Sequence, residues 1–276
     1  MTQDSNGRVP LDSVRIATRD DSFVVEILPE TPSTNAVLAQ RARAGAPEGL
    51  VIVTEHQTAG RGRLDRTWQT PLHSALTFSV LLRPPVEQVP AQRWPWLPLL
   101  AGLAVTSVLR EEGYDAGVKW PNDVLINSPL GERKVCGILV ERVEAPTGAD
   151  GDLGPAAVVG IGLNTSLSVE ELPVPTATSL AVESGGPVDR TDVLVKVLRG
   201  LLGHYADWVA DPDALRPAYA AVSVTLGRQV RAELPDGETL VGTATAIDET
   251  GRVVISTPRG DRAVGAGDVV HLRPAP

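Results

Sequence analysis

Aliphatic and β-branched runs alternate with polar segments along most of the chain, and their periodicity predicts a mixture of strands and helices. Patterns typical of strands cover residues 23–28, 50–55, 74–82, 118–126, 134–143 and 156–163. Helical spacing covers residues 36–44, 96–112 and 189–209. In the last of these, Leu, Val, Tyr and Trp recur on one face, which predicts an amphipathic helix packed on the core.

The pattern changes after about residue 222, where short β-rich runs are separated by turn sequences such as Pro235-Asp236-Gly237. Turns at such close intervals predict a small β-barrel or sandwich. We therefore expect a polar, flexible leader over residues 1–21, a main domain over 22–222 and a small β domain over 223–276.

Composition and charge exclude several classes of protein. A formal charge of −9 and a pI near 5.0 disfavour a general nucleic-acid or anionic-membrane binder. Cys136 is the single cysteine, which excludes an internal disulfide, and no Cys/His spacing suggests zinc. We expect Cys136 in the core, on the other face of its strand from Lys134. The N-terminal segment lacks a secretory signal's apolar stretch, and no run approaches the ~20 apolar residues of a membrane helix, which favours a cytoplasmic protein.

The most unusual segment is residues 60–68, which read Gly-Arg-Gly-Arg-Leu-Asp-Arg-Thr-Trp. Three arginines within six positions of an acidic chain predict a local anionic ligand, because guanidinium groups bind phosphate or carboxylate through forked donors. Glycine allows the backbone to approach such a ligand closely. The alternatives are a solvated basic loop or a fragment of a nucleic-acid-binding arginine–glycine segment.

Four other polar clusters interrupt otherwise apolar strands, a pattern typical of a pocket wall. They are Ser33-Thr34-Asn35, Gln57, Lys119-Trp120-Pro121-Asn122-Asp123, and Lys134 with Gly137. Each has a structural alternative: a helix cap, a surface loop residue, a turn, and an edge lysine with a packing glycine. Where turn residues interrupt the strand predicted over 118–126, we expect a bulge beside the site.

Gly160-Ile161-Gly162-Leu163-Asn164 lacks the third glycine of the dinucleotide fingerprint, and no helix follows it directly. The chain shows no Ser-His-Asp order, HExxH motif or Walker loop. The sequence therefore favours charge stabilisation by arginine and lysine over covalent or zinc catalysis.

Taken together and in order, these segments resemble the motifs of biotin protein ligases. That family carries Ser-Thr-Asn, a Gln before Gly-Arg-Gly-Arg-x-Gly-Arg-x-Trp, Lys-Trp-Pro-Asn-Asp, Lys-x-x-Gly-Ile-Leu-x-Glu, and Gly-x-Gly-x-Asn. The resemblance spans residues 33–164, and the C-terminal part is similar to the family's SH3-like domain. It implies an α+β fold, in which a mixed-sheet, class II synthetase-like catalytic domain precedes a small SH3-like β-barrel.

The resemblance also implies an activity, that of a ligase forming C–N bonds. Biotin and MgATP would give biotinyl-5′-AMP, and the biotinyl group would pass to one lysine of a biotin carboxyl carrier domain of an acyl-CoA or pyruvate carboxylase. The alternatives are a lipoate–protein ligase-like enzyme and a non-catalytic module that binds the adenylate. We expect a short form without an N-terminal DNA-binding domain, with no DNA or membrane partner, either a monomer or a homodimer.

Residue by residue, the resemblance assigns the following roles. Biotin-binding residues are expected to be Ser33, Thr34, Asn35, Gln57, Arg61, Gly62, Arg63, Lys134 and Gly137. ATP- and adenylate-binding residues are expected to be Arg61, Arg63, Arg66, Trp68, Lys119, Asn122, Asp123, Lys134, Asn164 and Arg273. Lys134 and Arg63 are the expected catalytic cations. Asp65 stands where the family has glycine, and its charge is expected to weaken phosphate binding or to pre-order the loop.

Overall fold

The structure is a computed structural model that describes residues 7–19, 23–63, 66–144, 153–234, 237–265 and 268–271. The α-helices are α1 (Ser13–Arg19), α2 (Thr34–Arg43), α3 (Leu97–Glu111), α4 (Leu180–Ser184), α5 (Arg190–Ala210) and α6 (Leu215–Val222). Two 3₁₀ helices cover Ala91–Trp96 and Val169–Glu171. The first nine strands are β1 (Val24–Leu28), β2 (Leu50–Thr54), β3 (Gly60–Arg61), β4 (Thr67–Trp68), β5 (Ala75–Leu82), β6 (Ala116–Lys119), β7 (Asp123–Ser128), β8 (Gly131–Val143) and β9 (Ala156–Asn164). The last five are β10 (Gln229–Glu233), β11 (Thr239–Ile247), β12 (Val253–Thr257), β13 (Gly260–Val264) and β14 (Asp268–His271).

A seven-stranded sheet forms the centre of the main domain, in the order β1-β2-β5-β9-β8-β7-β6. Strands β1 and β2 are parallel, and every other neighbouring pair is antiparallel. Every residue of β2, β5 and β9 is buried, because helices cover both faces of the sheet centre. The predicted mixed sheet and α+β class are confirmed.

Helix α5 lies over α3, which in turn packs on the sheet. The predicted apolar face of α5 is confirmed, since Leu194, Val197, Leu201 and Trp208 are all buried in the main core. Helix α2 contacts β2, β5 and β9, and Leu38 and Ala42 face a second, smaller core. The N-terminus of α2 therefore lies close to the C-terminal ends of β1 and β2.

The strand predicted over residues 118–126 is instead a hairpin whose interruption is a turn, and the expected bulge beside the site lies where β7 pairs with β8. Strands β6 and β7 are antiparallel, and Lys119 pairs with Asp123 across the turn at residues 120–122. Pro121 lacks an amide hydrogen for the ladder, and Asn122 favours a turn. Trp120 is buried at this turn, where its indole Nε1 donates to the backbone oxygen of Gly251 at 3.0 Å.

The described part of the predicted leader, residues 7–19, packs against the main domain, and the extent of the leader stays a prediction. Residues 13–19 form α1, and Leu11 and Ile16 are buried. The backbone N–H of Leu11 donates to Glu55 Oε1 at 2.6 Å, and that of Asp12 donates to Thr191 Oγ1 at 3.0 Å. Two buried apolar side chains are too few to produce a periodic pattern, which is why the sequence did not indicate this packing.

The C-terminal part is a five-stranded antiparallel sheet in the order β13-β12-β11-β10-β14, as its closely spaced turns predict. It packs against the main domain through Trp120 and also through Trp96, whose Nε1 donates to the backbone oxygen of Asp248 at 3.1 Å. Helix α6, which the sequence did not predict, ends where we place the boundary near residue 222, and the boundary itself stays a prediction. Within the described ranges, no helix is both long and apolar enough to cross a bilayer.

Candidate active site

A cavity of about 590 Å³ lies over one end of the central sheet, beside the N-terminus of α2. It is lined by every predicted site residue that the structure describes: Ser33, Thr34, Asn35, Gln57, Arg61, Gly62, Arg63, Arg66, Trp68, Lys119, Asn122, Asp123, Lys134, Gly137 and Asn164. Arg273 and Asp65 lie outside the described residues. The structure thus brings together segments that are up to 131 positions apart in the sequence.

Uncharged polar side chains form one end of the cavity. Because β1 and β2 are parallel, the segments that follow them meet at one edge, where Thr31 and Gln57 form a bridge. Gln57 Oε1 accepts from the backbone N–H of Thr34 at 3.0 Å, while Ser33 caps α2. These groups are buried, so their donors and acceptors have fixed directions.

Ser79 and Glu141 lie behind this end and hold the residues that line it, and neither was among the predicted site residues. Ser79 Oγ donates to Asn35 Oδ1 at 2.6 Å and lies 2.8 Å from Thr34 Oγ1. Asn35 Nδ2 in turn donates to Glu141 Oε2 at 2.7 Å. A signal for Ser79 was present in the sequence, because a fully buried hydroxyl interrupts the apolar run of β5.

Glycines on β9 form the floor of the cavity and explain the Gly-x-Gly-x-Asn segment. A Cβ atom on Gly162 would lie 2.5 Å from Trp68 Cε2, and one on Gly160 would lie 2.1 Å from Asn35 Oδ1. Only glycine therefore allows the Trp68 indole and the Asn35 amide to lie directly on the strand. Asn164 Nδ2 donates to the backbone oxygen of Thr178 at 3.0 Å, so this amide nitrogen already has a protein partner.

A β-bulge between β7 and β8 sets the direction of Lys134. Gly137 pairs with Asp123 and Cys136 with Val124, but Lys134 pairs with Leu125, which leaves one extra residue in β8. Residues two apart on a regular strand share a face, so Lys134 and Cys136 would point the same way without the bulge. With it, Lys134 and Gly137 line the cavity, and Cys136 is buried in the core as predicted. Burial raises the pKa of the Cys136 thiol far above its ordinary value, so this thiol is unreactive.

Lys134 reaches across the Gly137 position into the cavity. Its Nζ lies 2.6 Å from Asp123 Oδ1 and 5.9 Å from the centroid of the Trp68 ring. The Lys134 side chain is 34% exposed, so an incoming anion can reach the ammonium group. The site therefore holds a fixed cation next to an aromatic surface.

We call the segment over residues 60–68 the arginine loop. Its described residues cover the cavity, and its strands β3 and β4 form a small antiparallel ribbon. The backbone N–H of Gly62 donates to the Arg66 oxygen at 2.6 Å. Arg63 Nη1 donates to Asn122 Oδ1 at 3.2 Å, and Arg61 Nη2 lies 3.4 Å from Glu141 Oε1. Arginine side chains from the loop thus line the cavity, which favours a small-ligand site over a solvated basic loop.

A second cavity of about 520 Å³ adjoins the first one at the arginine loop. Arg61, Gly62 and Arg63 line both cavities, and Gly251 and Gly265 bring the C-terminal sheet to the second one. Within the part of the chain that the structure describes, no group of three or more His, Cys, Asp or Glu side chains is arranged to hold a metal ion.

Comparison with known proteins identifies the family. Residues 27–164 match the biotin/lipoate A/B protein ligase family, and residues 225–272 match the biotin protein ligase C-terminal domain. The chain is 39% identical over 254 residues to a protein of Mycobacterium tuberculosis named biotin--[acetyl-CoA-carboxylase] ligase, covering 90% of this chain and 89% of that one. The chain belongs to the biotin protein ligases.

Two further relatives of this chain extend the comparison. The Bacillus spizizenii bifunctional ligase/repressor BirA is 31% identical over 242 residues, covering 86% of this chain and 70% of the relative. A solved structure of the Aquifex aeolicus biotin protein ligase in complex with biotin and ATP superposes with a TM-score of 0.73 at 27% identity. It covers 91% of this chain and 99% of that one. The predicted family and fold are confirmed, while the role of each site residue stays a prediction.

Proposed function

We propose that the protein joins biotin to ATP as biotinyl-5′-AMP, and then transfers the biotinyl group to one lysine of a carboxylase's biotin carboxyl carrier domain. The observation that carries this proposal is a single cavity with uncharged polar groups at one end and Arg63 and Lys134 at the other. The Mycobacterium tuberculosis relative is named as a ligase for acetyl-CoA carboxylase, and the Aquifex aeolicus relative binds biotin and ATP.

The uncharged end fits the ureido ring of biotin. A ureido group offers two N–H donors and one carbonyl acceptor within one plane. Thr34 and Gln57 present a hydroxyl and an amide group to the cavity, and their hydrogen bonds to each other and to Ser79 hold them in place. Because these groups are buried, a ring that satisfies them would bind much more tightly than one that leaves them unpaired.

In the first step, a biotin carboxylate oxygen attacks the α-phosphorus of ATP. The new oxygen–phosphorus bond forms as the bond to pyrophosphate breaks, and pyrophosphate leaves with that electron pair. ATP enters as its Mg²⁺ complex. Negative charge develops on the α-phosphate oxygens, and the Lys134 ammonium and Arg63 guanidinium are the groups we assign to stabilise it. In this account Trp68, flat against Gly162, packs against the adenine.

In the second step, the neutral amine of the acceptor lysine attacks the acyl carbon of biotinyl-5′-AMP. The carbon–nitrogen bond forms, the acyl–phosphate bond breaks, and the nitrogen releases one proton to solvent. AMP leaves as an anion that Arg63 and Lys134 can again stabilise. Mixed anhydrides of this kind hydrolyse readily in water. The arginine loop over the cavity therefore has a second assigned role, which is to shield the intermediate from water.

A lipoate ligase is the second candidate, because the matched family model includes lipoate ligases. The polar end of the cavity argues against it. The dithiolane ring of lipoate has neither N–H donors nor a carbonyl, so it would leave Thr34 and Gln57 buried without a ligand partner.

The test compares pyrophosphate release from MgATP in the presence of biotin or lipoate, followed by transfer of labelled product to a carrier domain. We expect release with biotin and label on one lysine. Release with lipoate alone would favour the second candidate, and release without transfer would favour an adenylate-binding module. No release with either acid would contradict the proposal.

A further inference from the structure

At Lys134, strand β8 pairs with β7 on one side, but no regular strand pairs with it on the other side. The pairing of β8 with β9 begins only at Cys136, so residue 134 extends beyond the ladder. Residues 176–178 take the place of the missing strand. The Lys134 N–H donates to the Thr176 oxygen at 2.7 Å, and the Thr178 N–H donates to the Lys134 oxygen at 2.8 Å.

Thr178 connects this support to the rest of the site. Its backbone oxygen accepts from Asn164 Nδ2 at 3.0 Å, and its hydroxyl donates to Glu183 Oε1. The residue is fully buried, so neither bond competes with water. Each polar group of Thr178 is thus used, and the bonds lead to Lys134, to the end of β9 and to α4.

Glu183 supports the same part of β8, next to Lys134, from the core side of the strand. Its carboxylate also pairs with Arg133, the residue immediately before Lys134, and both side chains are only about one-tenth exposed. Neighbouring residues of a strand point to opposite faces. Glu183 therefore holds the backbone just before Lys134 through Arg133, and just beside it through Thr178.

We propose that Thr178, held by Glu183, is a positioning residue that sets the place of the Lys134 ammonium for adenylate formation. This inference rests on the proposed function. A catalytic cation stabilises developing charge only when its position is held to a fraction of an ångström, which requires support from outside the site. Residues 176 and 177 also line the cavity wall, so the support and the wall are one segment.

The decisive variant is Thr178→Val, which keeps the shape of the side chain and removes its hydroxyl. We expect kcat for biotin-dependent pyrophosphate release to fall by about tenfold, while KM for biotin stays within about twofold. Thr178→Ser retains the hydroxyl and should restore kcat. Glu183→Asp withdraws the carboxylate by one methylene but keeps its charge, and it should lower kcat in the same way.

Glu170→Gln is the matched control, because Glu170 is an exposed carboxylate of the same connecting segment that bonds Ser168. It should leave kcat and KM unchanged. A folded Thr178→Val with wild-type kcat, or equal losses in Thr178→Val and Thr178→Ser, would overturn the positioning role alone. If the wild-type protein released no pyrophosphate with biotin, the proposed function would fail first, so the two failures are distinguishable.

Discussion

Lys134 Nζ lies 2.6 Å from Asp123 Oδ1, and this contact depends on the bulge that turns Lys134 into the cavity. Both side chains are partly exposed, so the pair adds little to the free energy of unfolding. The carboxylate instead keeps the ammonium group over Gly137 and next to Trp68. An incoming anion therefore meets a cation that is already in place.

The glycine floor gives a direct test of the Trp68 position. Gly162→Ala would put a Cβ atom 2.5 Å from the indole, so Trp68 must move off the strand. We expect KM for ATP to rise by about tenfold, because forced shifts of this kind cost about 1–3 kcal/mol. Gly203→Ala is the control, since its Cβ would meet no atom within 4 Å, and it should leave KM unchanged. Equal KM values for the two variants would contradict the packing described for Trp68.

Arg63 is expected to slow the escape of the adenylate. Its guanidinium contacts Asn122 and lines both cavities, so it can bind a phosphate between them. Arg63→Gly should raise the dissociation rate of biotinyl-5′-AMP by about tenfold, as loss of a charge-assisted hydrogen bond implies. The rate can be measured by chasing labelled adenylate. Arg231→Ala, on an exposed part of β10, is the control. An unchanged dissociation rate in Arg63→Gly would show that Arg63 does not help to retain the intermediate.

Ser79 is expected to contribute to biotin affinity through Asn35 and Thr34. Ser79→Ala leaves Asn35 Oδ1 without its donor at 2.6 Å and loosens the polar array. We expect the dissociation constant of biotin, measured by calorimetry, to rise by about tenfold. The dissociation constant of ATP should not change, since Ser79 contacts Thr34 and Asn35, which belong to the end assigned to biotin. A parallel loss of both affinities would indicate a general structural effect instead.

Asp248 makes acid stability a test of the turn between β11 and β12, where its carboxylate bonds Thr250 and Arg252. Burial raises its pKa, but hydrogen bonds from the Arg252 and Thr250 N–H groups and side chains outweigh this, and the net pKa lies below the ordinary value. Asp248 therefore stabilises the fold above the pKa of an unfolded aspartate, about 3.9, and this contribution is lost as pH falls through the lower folded pKa. In urea unfolding, Asp248→Asn should be less stable than wild type at pH 7, and the difference should shrink below about pH 4. A difference that did not depend on pH would contradict this assignment.

Most of the fold could be predicted because its elements carry regular patterns. The buried strands β2, β5 and β9 and the apolar face of α5 follow directly from periodicity. Helix α1 could not be predicted, because its packing depends on backbone bonds to Glu55 and Thr191 that no local pattern encodes. The hairpin at Trp120 was also missed, because a large apolar residue within the turn made residues 118–126 resemble one continuous strand.

The site residues could be chosen by type and order, but their directions could not. Lys134 and Cys136 differ in face only because of the bulge, which is a property of the pairing with β7 and not of β8 alone. Ser79 and Glu141 join the site through Asn35, a contact between residues far apart in the chain. Such contacts depend on the folded topology, so the sequence can mark Ser79 as an unusual hydroxyl within β5 but cannot show its partner.

The most direct test of the whole account is the single-turnover rate of pyrophosphate release from biotin and MgATP in the Lys134→Ala variant. We predict a fall of at least about 100-fold, as for loss of a group that stabilises transition-state charge, with an unchanged thermal midpoint. Lys196→Ala, which removes an exposed lysine of α5, should retain the wild-type rate. A folded Lys134→Ala that released pyrophosphate at a near-normal rate would contradict the central role of this cation.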